Sequence, residues 1–399
     1  MKKKILIVSH FMEIGGAERA LLGLLNGFNY RKYEVSLFLF RHEGELLKLI
    51  PQEVNLLPTI EQYTTLACPI SRVVQRGHFL LAISRIVGKY MSKAYNIIHF
   101  YNQNSQVCIE YSHKFTKWLM PSIMPEIEYD LAISFLTPHY FVAEKVRAKK
   151  RIAWVHTDYS CIQIHRKSEL KMWDKYDKIM AISEACEEAF IKCFPKLKEK
   201  VLQMENLLSI DFLKEQAKMK VKENIENKEI KLLSIGRFCN AKNFDNIPEI
   251  CKKIIEEGVD VVWYIIGFGA DEDLIRQKIK DSNMQDHVKI LGKKENPYPY
   301  IVQCDWYIQP SRFEGNAVTV REAQALHKPV IIANYPTAKS QLENGVDGII
   351  VPQENEKCAI AISRILKDEK LKQKLIENTY TRDYSNKSEL QKLYALIGE

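Results

Sequence analysis

Six short runs in the second half of the chain are apolar almost from end to end: IKLLSI (230–235), VVWYIIG (261–267), HVKILG (287–292), WYIQP (306–310), PVIIAN (329–334) and GIIVP (348–352). A strand with one wet face alternates polar and apolar residues, whereas a continuous apolar run must be covered on both faces. Helical patterns such as DEDLIRQKIKDS and NEKCAIAISRILKD lie between the runs. That alternation predicts a parallel sheet layered between helices. The first half begins alike, with KKKILIVS as a buried strand, GGAERALLGLLNGF as a glycine loop entering an amphipathic helix, and YEVSLFLF as the next strand. Further on, YDLAISFL (129–136), KRIAWVH (150–156) and DKIMAIS (177–183) read as strands and EACEEAFIKCF as a helix. The expected fold class is α/β: two doubly wound, Rossmann-like domains in tandem, facing each other across a cleft.

A chain of 399 residues exceeds one ordinary core. The reading is a first domain over 1–208 and a second over 209–384. The polar stretch DFLKEQAKMKVKENIENKE (211–229) forms the joint, and a C-terminal helix at about 385–399 is free to pack back on the first domain. With 46% hydrophobic and 27% charged residues, the composition is that of a soluble globular protein and argues against disorder. No run reaches the ~20 apolar residues that cross a bilayer, and MKKKILIVSHFMEIGG is too briefly apolar for a signal peptide. Nine cysteines without a Cys-x-x-Cys pair are expected to be reduced core residues of a cytoplasmic protein. The formal net charge of +8 favours anionic partners: nucleic acid, acidic lipid or phosphorylated small molecules.

Ligands of doubly wound sheets sit beyond the carboxyl ends of the strands, so the loops there hold the chemistry. In SIGRFCNAKNFDN (234–246), Gly236 opens a loop in which Arg237 and Lys242 can converge on a diphosphate. Ordinary solvated cations are the alternative. In EGNAVTVREAQALHKPV (314–330), a helix is expected to start near Asn316, a good N-cap residue, and to end before Lys328 and Pro329. On an ideal helix, Glu314 and Glu322 would differ by a rise of ~12 Å and a turn of about 80°. They would therefore act as separate acceptors for a hydroxyl-rich ligand, not as a pair sharing one proton. The alternative makes Glu314 a turn residue and Glu322 an exposed helix residue. Asp271 and Asp273 in GADEDL imitate a metal site, but Asp271 reads better as a helix N-cap, and no metal or other cofactor is assigned. IGFGAD imitates a dinucleotide fingerprint without its third glycine.

Taken together, SIGRFCNAKNFD, YIIGFGADEDLI, VKILGKKENPYPYIVQCDWYIQPSRFEGNAVTVREAQALHKPVIIAN and ENGVDGIIVP resemble the donor domain of the GT-B glycosyltransferases of family 4, of the bacterial surface-polysaccharide type, with the E-x7-E motif at Glu314 and Glu322. IGGAERALLGLL, IAWVHTDYS, DKIMAISEACEEAF and VLQMENLLSID extend the resemblance into the first half, weakly over 55–128. The resemblance implies that Arg237 and Lys242 neutralise a donor diphosphate, that Glu322 binds the ribose, and that Glu314 lies beside the transferred sugar. It further implies that the loop of Gly315, Asn316, Ala317 and Val318 offers amides to sugar and phosphate, and that the GKKEN loop with Gly292 and Lys293 holds the base. The loop at Gly15 and Gly16 would close over the diphosphate, and His156 would stand beside the sugar. On the residues alone, His156 is better read as a hydrogen-bonded histidine at the end of the apolar strand IAWV. The family commonly reads Glu-Gly-Phe-Gly where this chain has Glu-Gly-Asn-Ala, so the sugar pocket is shaped differently.

No acidic residue stands between Glu61 and Glu110, while Arg72, Arg76, Arg85, Lys89 and Lys93 recur among apolar residues. The stretch 72–93 resembles helices that lie at a membrane interface, with two ordinary packed helices as the alternative. The expectation is a retaining, metal-independent glycosyltransferase on the inner face of the plasma membrane, moving a sugar from a UDP-sugar to a saccharide acceptor, lipid-linked, in surface polysaccharide assembly. A sugar-nucleotide epimerase of the same fold is the rival enzyme class, and a two-lobed binding protein without turnover is a third. A nucleic-acid partner would explain the charge alone, and none is expected.

Overall fold

The computed structural model describes residues 2–66, 68–102, 105–221 and 229–398. The chain forms two compact units, one of Met1–Leu207 with Lys387–Glu399 and one of Leu208–Asn386. Part of the polar joint, residues 222–228, lies outside the described residues.

In the first unit, β1 (Lys3–Ser9), β2 (Tyr33–Leu39), β3 (Asn55–Leu56), β4 (Tyr129–Ser134), β5 (Ala148–Val155), β6 (Lys178–Ala181) and β7 (Val201–Gln203) form one sheet in the order β3-β2-β1-β4-β5-β6-β7. Every pair is parallel, and Ile5 of β1 sits in register with Val35 on one side and Leu131 on the other. In the second unit, β8 (Ile230–Ile235), β9 (Val261–Ile266), β10 (Val288–Gly292), β11 (Trp306–Gln309), β12 (Val330–Ala333) and β13 (Ile349–Val351) are likewise parallel, in the order β10-β9-β8-β11-β12-β13. The apolar runs behave as their patterning requires. Val261, Trp263 and Ile265 join one core with Leu232, Trp306 and Ile308, while Val262, Tyr264 and Ile266 join another with Leu233, Ile235 and Tyr307. Successive side chains point to opposite faces, so a strand apolar at every position needs these two separate cores.

In each sheet the strand order reverses once, between β1 and β4 and between β8 and β11. The crevice at such a reversal is where the loops of neighbouring strands diverge and leave room for a ligand. The loops that follow β8 and β11 are the two that hold Arg237, Lys242 and Glu314.

The chain returns to the first unit at its end. The helix Leu390–Leu396 places Leu390, Leu393 and Tyr394 in the first core, and the Tyr394 ring stacks on Tyr33 with centroids 4.5 Å apart. The Tyr394 hydroxyl accepts from the Asn29 amide at 3.2 Å, and Lys3 Nζ donates to the Ile397 carbonyl at 3.1 Å. All nine cysteines are free, but the reading of them as core residues is corrected at Cys108 and Cys161, which are exposed.

The first core also holds ionisable groups. His113 and His139 are each pushed down to about 3, above all by burial, and His139 Nδ1 pairs with Ser134 Oγ at 2.8 Å. An unfolded chain takes up these protons near pH 6.5, so below that pH the unfolded state binds more protons than the folded one. Thermal unfolding of the first unit, followed by tryptophan fluorescence, should therefore shift to lower temperature as pH falls from 6.5 towards 4. The Tyr394→Ala variant should lose about 3 kcal/mol in chemical denaturation through the emptied aromatic site.

Candidate functional site

The second unit builds its site on the two loops at the reversal of strand order. Gly236 ends β8 without a side chain, and a Cβ there would lie 3.2 Å from both Lys242 Cδ and Phe244 Cζ. The glycine thus lets the Lys242 stem lie across the strand end. Lys242 Nζ meets Glu314 Oε1 at 2.6 Å, and the same oxygen accepts from Ser311 Oγ at 2.6 Å and Gln309 Nε2 at 3.1 Å. Tyr307 donates to Gln309 Oε1 at 2.7 Å, and Thr337 Oγ1 donates to the Glu314 carbonyl at 2.9 Å. Glu314 is therefore locked from below, with its charge directed at Lys242. The two loops are clamped by a bidentate pair, Arg312 Nη1 and Nη2 to Asp245 Oδ1 and Oδ2, each at 2.9 Å, and the Arg312 amide donates to Ala241 at 2.8 Å. Arg237 stands exposed on the same loop, and among the described residues no hydrogen bond or ion pair engages its side chain.

Glu322 is only 1% exposed on the helix Val318–Ala325, which rules out the exposed-residue alternative. Its Oε1 accepts from Tyr298 OH at 2.9 Å, and the Tyr298 amide bonds Asn296 Oδ1 at 3.1 Å. The second glutamate is thereby tied to the loop 292–296. In that loop Gly292 adopts φ +73°, a left-handed turn that suits glycine, and Lys293 Nζ lies 4.9 Å over the Phe268 ring.

Two expectations for this helix are corrected. It begins at Val318, and Ala317, not Asn316, occupies the cap position without a side-chain cap; the Ala317 amide is instead taken by Gln341 Oε1 at 2.7 Å. Since Glu314 and Gly315 precede the helix, ideal helical geometry does not relate the two glutamates. Asp271 does hold the N-cap position of Glu272–Asp281, but its side chain makes no capping bond. The glycines of IGFGAD serve packing: a Cβ on Gly267 would lie 1.9 Å from the Gly236 carbonyl oxygen, and one on Gly269 2.3 Å from that of Phe238.

In the first unit, Gly15 caps and Gly16 starts the helix Gly16–Gly27, and a Cβ on Gly15 would strike Glu18 Oε2 at 2.1 Å. His156 follows β5 and lines a cavity of about 200 Å³ together with Glu110, Tyr140, Trp154, Tyr159 and Glu169. Burial, opposed in part by a bond to the Phe135 backbone, pushes His156 down to about 4, so the ring is neutral at pH 7. Among the described residues, neither His156 Nε2 nor Trp154 Nε1 has a hydrogen-bond partner, although both atoms are buried. His156 is thus a strand-end histidine with one bond, to the Phe135 backbone, as the plain reading of the residues expects, and with Nε2 left over on the cavity side. Tyr140 OH donates to Glu110 Oε1 at 2.6 Å and Tyr159 OH to Glu169 Oε2 at 3.1 Å. Burial, then the charge of Glu110, pushes Glu169 up to about 8, so its carboxyl keeps a proton at pH 7. The cavity thus offers hydrogen-bond donors and acceptors on an aromatic wall, a surface matched to uncharged hydroxyls. Glu110 and Glu169 went unread in the sequence. Glu110 is the first acid after a long acid-free stretch and sits between apolar residues on a helical pattern, which was the available signal.

The family described as "Glycosyl transferases group 1" matches residues 215–382. The chain is 28% identical over 159 residues to the poly(glycerol-phosphate) alpha-glucosyltransferase of Bacillus subtilis, covering 39% of this chain and 24% of that one. It is 25% identical over 213 residues to the N-acetylgalactosamine-N,N'-diacetylbacillosaminyl-diphospho-undecaprenol 4-alpha-N-acetylgalactosaminyltransferase of Campylobacter jejuni, covering 53% of this chain and 56% of the relative. Neither match spans two thirds of the relative's length. Among solved structures, Anabaena HepE in complex with UDP superposes over 100% of this chain and 99% of its own, with a TM-score of 0.66 at 17% identity. The chain has the GT-B fold, and residues 215–382 of its second unit match the glycosyl transferases group 1 family.

Proposed function

We propose that the protein is a retaining glycosyltransferase that moves a sugar from a nucleoside diphosphate, UDP, to a hydroxyl of a lipid-linked saccharide at the inner face of a membrane, in surface polysaccharide assembly. The observation that carries the reading is the placement, at the β8–β11 reversal, of exposed Arg237 on the same loop as a Lys242 anchored by Glu314. A departing diphosphate gathers negative charge, and two cations, Lys242 held by Glu314 and the exposed Arg237, stabilise it without a metal. Glu322, buried and tied to the 292–296 loop through Tyr298, is placed to accept from the ribose hydroxyls while that loop meets the base. Glu314 holds Lys242 and so positions the leaving phosphate, with its remaining oxygen available to the sugar. The acceptor hydroxyl attacks the face the diphosphate leaves, and a departing phosphate oxygen takes its proton, so no enzymic nucleophile is needed.

The cavity at His156 supports an acceptor or transferred sugar in the first unit, because neutral His156, protonated Glu169 and the Trp154 indole all suit uncharged hydroxyls. The lipid-linked acceptor draws support from the Campylobacter jejuni relative, whose name includes diphospho-undecaprenol. UDP as the carrier draws support from the HepE complex.

Calorimetric titration with UDP should show Arg237→Ala and Lys242→Ala each weakening affinity by roughly tenfold to a hundredfold, the scale of a charge-assisted contact. Glu322→Gln should weaken UDP while leaving inorganic pyrophosphate unaffected, and unchanged UDP affinity in all three would overturn the reading. In turnover assays Glu169→Gln should raise the acceptor KM without altering UDP affinity. Product analysis then decides the enzyme class, since an isomerised free sugar nucleotide in place of a glycosylated acceptor would mark an epimerase.

A further inference from the structure

The helix Phe79–Ile98 packs the wrong way round for a helix that faces water. Its buried residues are Leu81, Ala82, Gly88 and Ser92, mostly small. At Gly88 it approaches the helix Val107–Thr116 so closely that a Cβ would lie 3.2 Å from the backbone of Tyr111 and Ser112. The large apolar residues lie on the other side. Phe79, Leu80, Ile83, Tyr90, Ile97 and Ile98 are between 56% and 75% exposed, and Ile86, Val87 and Met91 fill the positions between them. At ~100° per residue these nine positions fall on one continuous stripe, opposite the buried one and about 30 Å long. A globular protein does not ordinarily leave such a stripe bare to water.

We infer that this stripe is the surface by which the protein lies on an anionic lipid bilayer, with the Phe79–Ile98 helix parallel to the membrane plane. Charge selects this occupant. Lys89 and Lys93, both exposed, run along one border of the stripe, where their stems can lie over acyl chains and their ammonium groups reach headgroup phosphates. Arg72 and Arg76 are exposed just before the helix, and no Asp or Glu occurs between Glu61 and Glu110. Arg85 belongs to the fold: its Nη1 donates to the Thr65 and Cys68 carbonyls at 3.0 and 2.8 Å, which corrects its inclusion among the lipid-facing cations. Among the described residues no helix is long and apolar enough to cross a membrane, so this one lies on the surface. The inference rests on the membrane-side acceptor of the proposed function, since it names the element that brings the chain to that acceptor.

The test is flotation of the full chain with vesicles of phosphatidylglycerol and phosphatidylcholine in equal parts, and with phosphatidylcholine alone. The wild type should float with the anionic vesicles and less with the neutral ones. Lys89→Gln with Lys93→Gln should lower partitioning about thirtyfold. Leu80→Gln with Ile83→Gln and Ile98→Gln, at positions that support no core, should lower it roughly a hundredfold with an unchanged melting temperature. A wild type that binds UDP but stays with neither vesicle overturns the inference, and with it the membrane placement, and leaves sugar transfer from a UDP-sugar standing. Flotation without UDP affinity does the reverse. A concentration-dependent dimer that the triple variant abolishes, with no flotation, assigns the stripe to a second copy and overturns the lipid assignment.

Discussion

The contact between Lys242 and Glu314 is the constraint around which the second unit is arranged. An ammonium and a carboxylate at 2.6 Å, with Ser311 and Gln309 on the same oxygen, fix where a positive charge stands at the end of the sheet. That position is meaningful only because the loops after β8 and β11 diverge there, and they keep their spacing because Arg312 and Asp245 clamp them from behind. A bidentate guanidinium–carboxylate pair is directional as well as attractive, so it sets loop geometry where a single bond would leave a hinge. Gly236 completes the arrangement by having nothing in the way of the lysine stem.

The two units hold their polar groups in opposite electrostatic styles. The second exposes Arg237 and keeps Lys242 on a short tether, a setting suited to a ligand that carries charge. The first withdraws its groups from water until they lose theirs: His113, His139 and His156 are pushed down and Glu169 up, each chiefly by burial. Fixed neutral dipoles discriminate by hydrogen-bond pattern, which is how one sugar hydroxyl is told from another.

Much of this was legible in the order of residues. Continuous apolar runs announced parallel strands with two covered faces, because only that packing excuses a strand without a polar side. The short edge strands β3 and β7 were not legible, since two or three residues make no pattern. The loop with Arg237 and Lys242 could be singled out because its chemistry is local. Asn316 misled because the helix starts one residue further on than its cap would set it, with Ala317 at the cap position and the Ala317 amide bonded to Gln341. Arg85 misled because a charge pattern along a helix does not show which cation turns inward to two loop carbonyls. Glu110 and Glu169 meet only through the tertiary fold, so no spacing in the chain joins them.

The return of residues 387–399 to the first unit sets an order of events during synthesis. Leu390, Leu393 and Tyr394 belong to a core whose other members emerge from the ribosome long before them. The amino-terminal half must wait, with the site for those side chains still open, while the whole of Leu208–Asn386 is translated and free to fold. Vectorial synthesis can therefore begin the earlier unit first but cannot seal it until the last residues of the chain arrive.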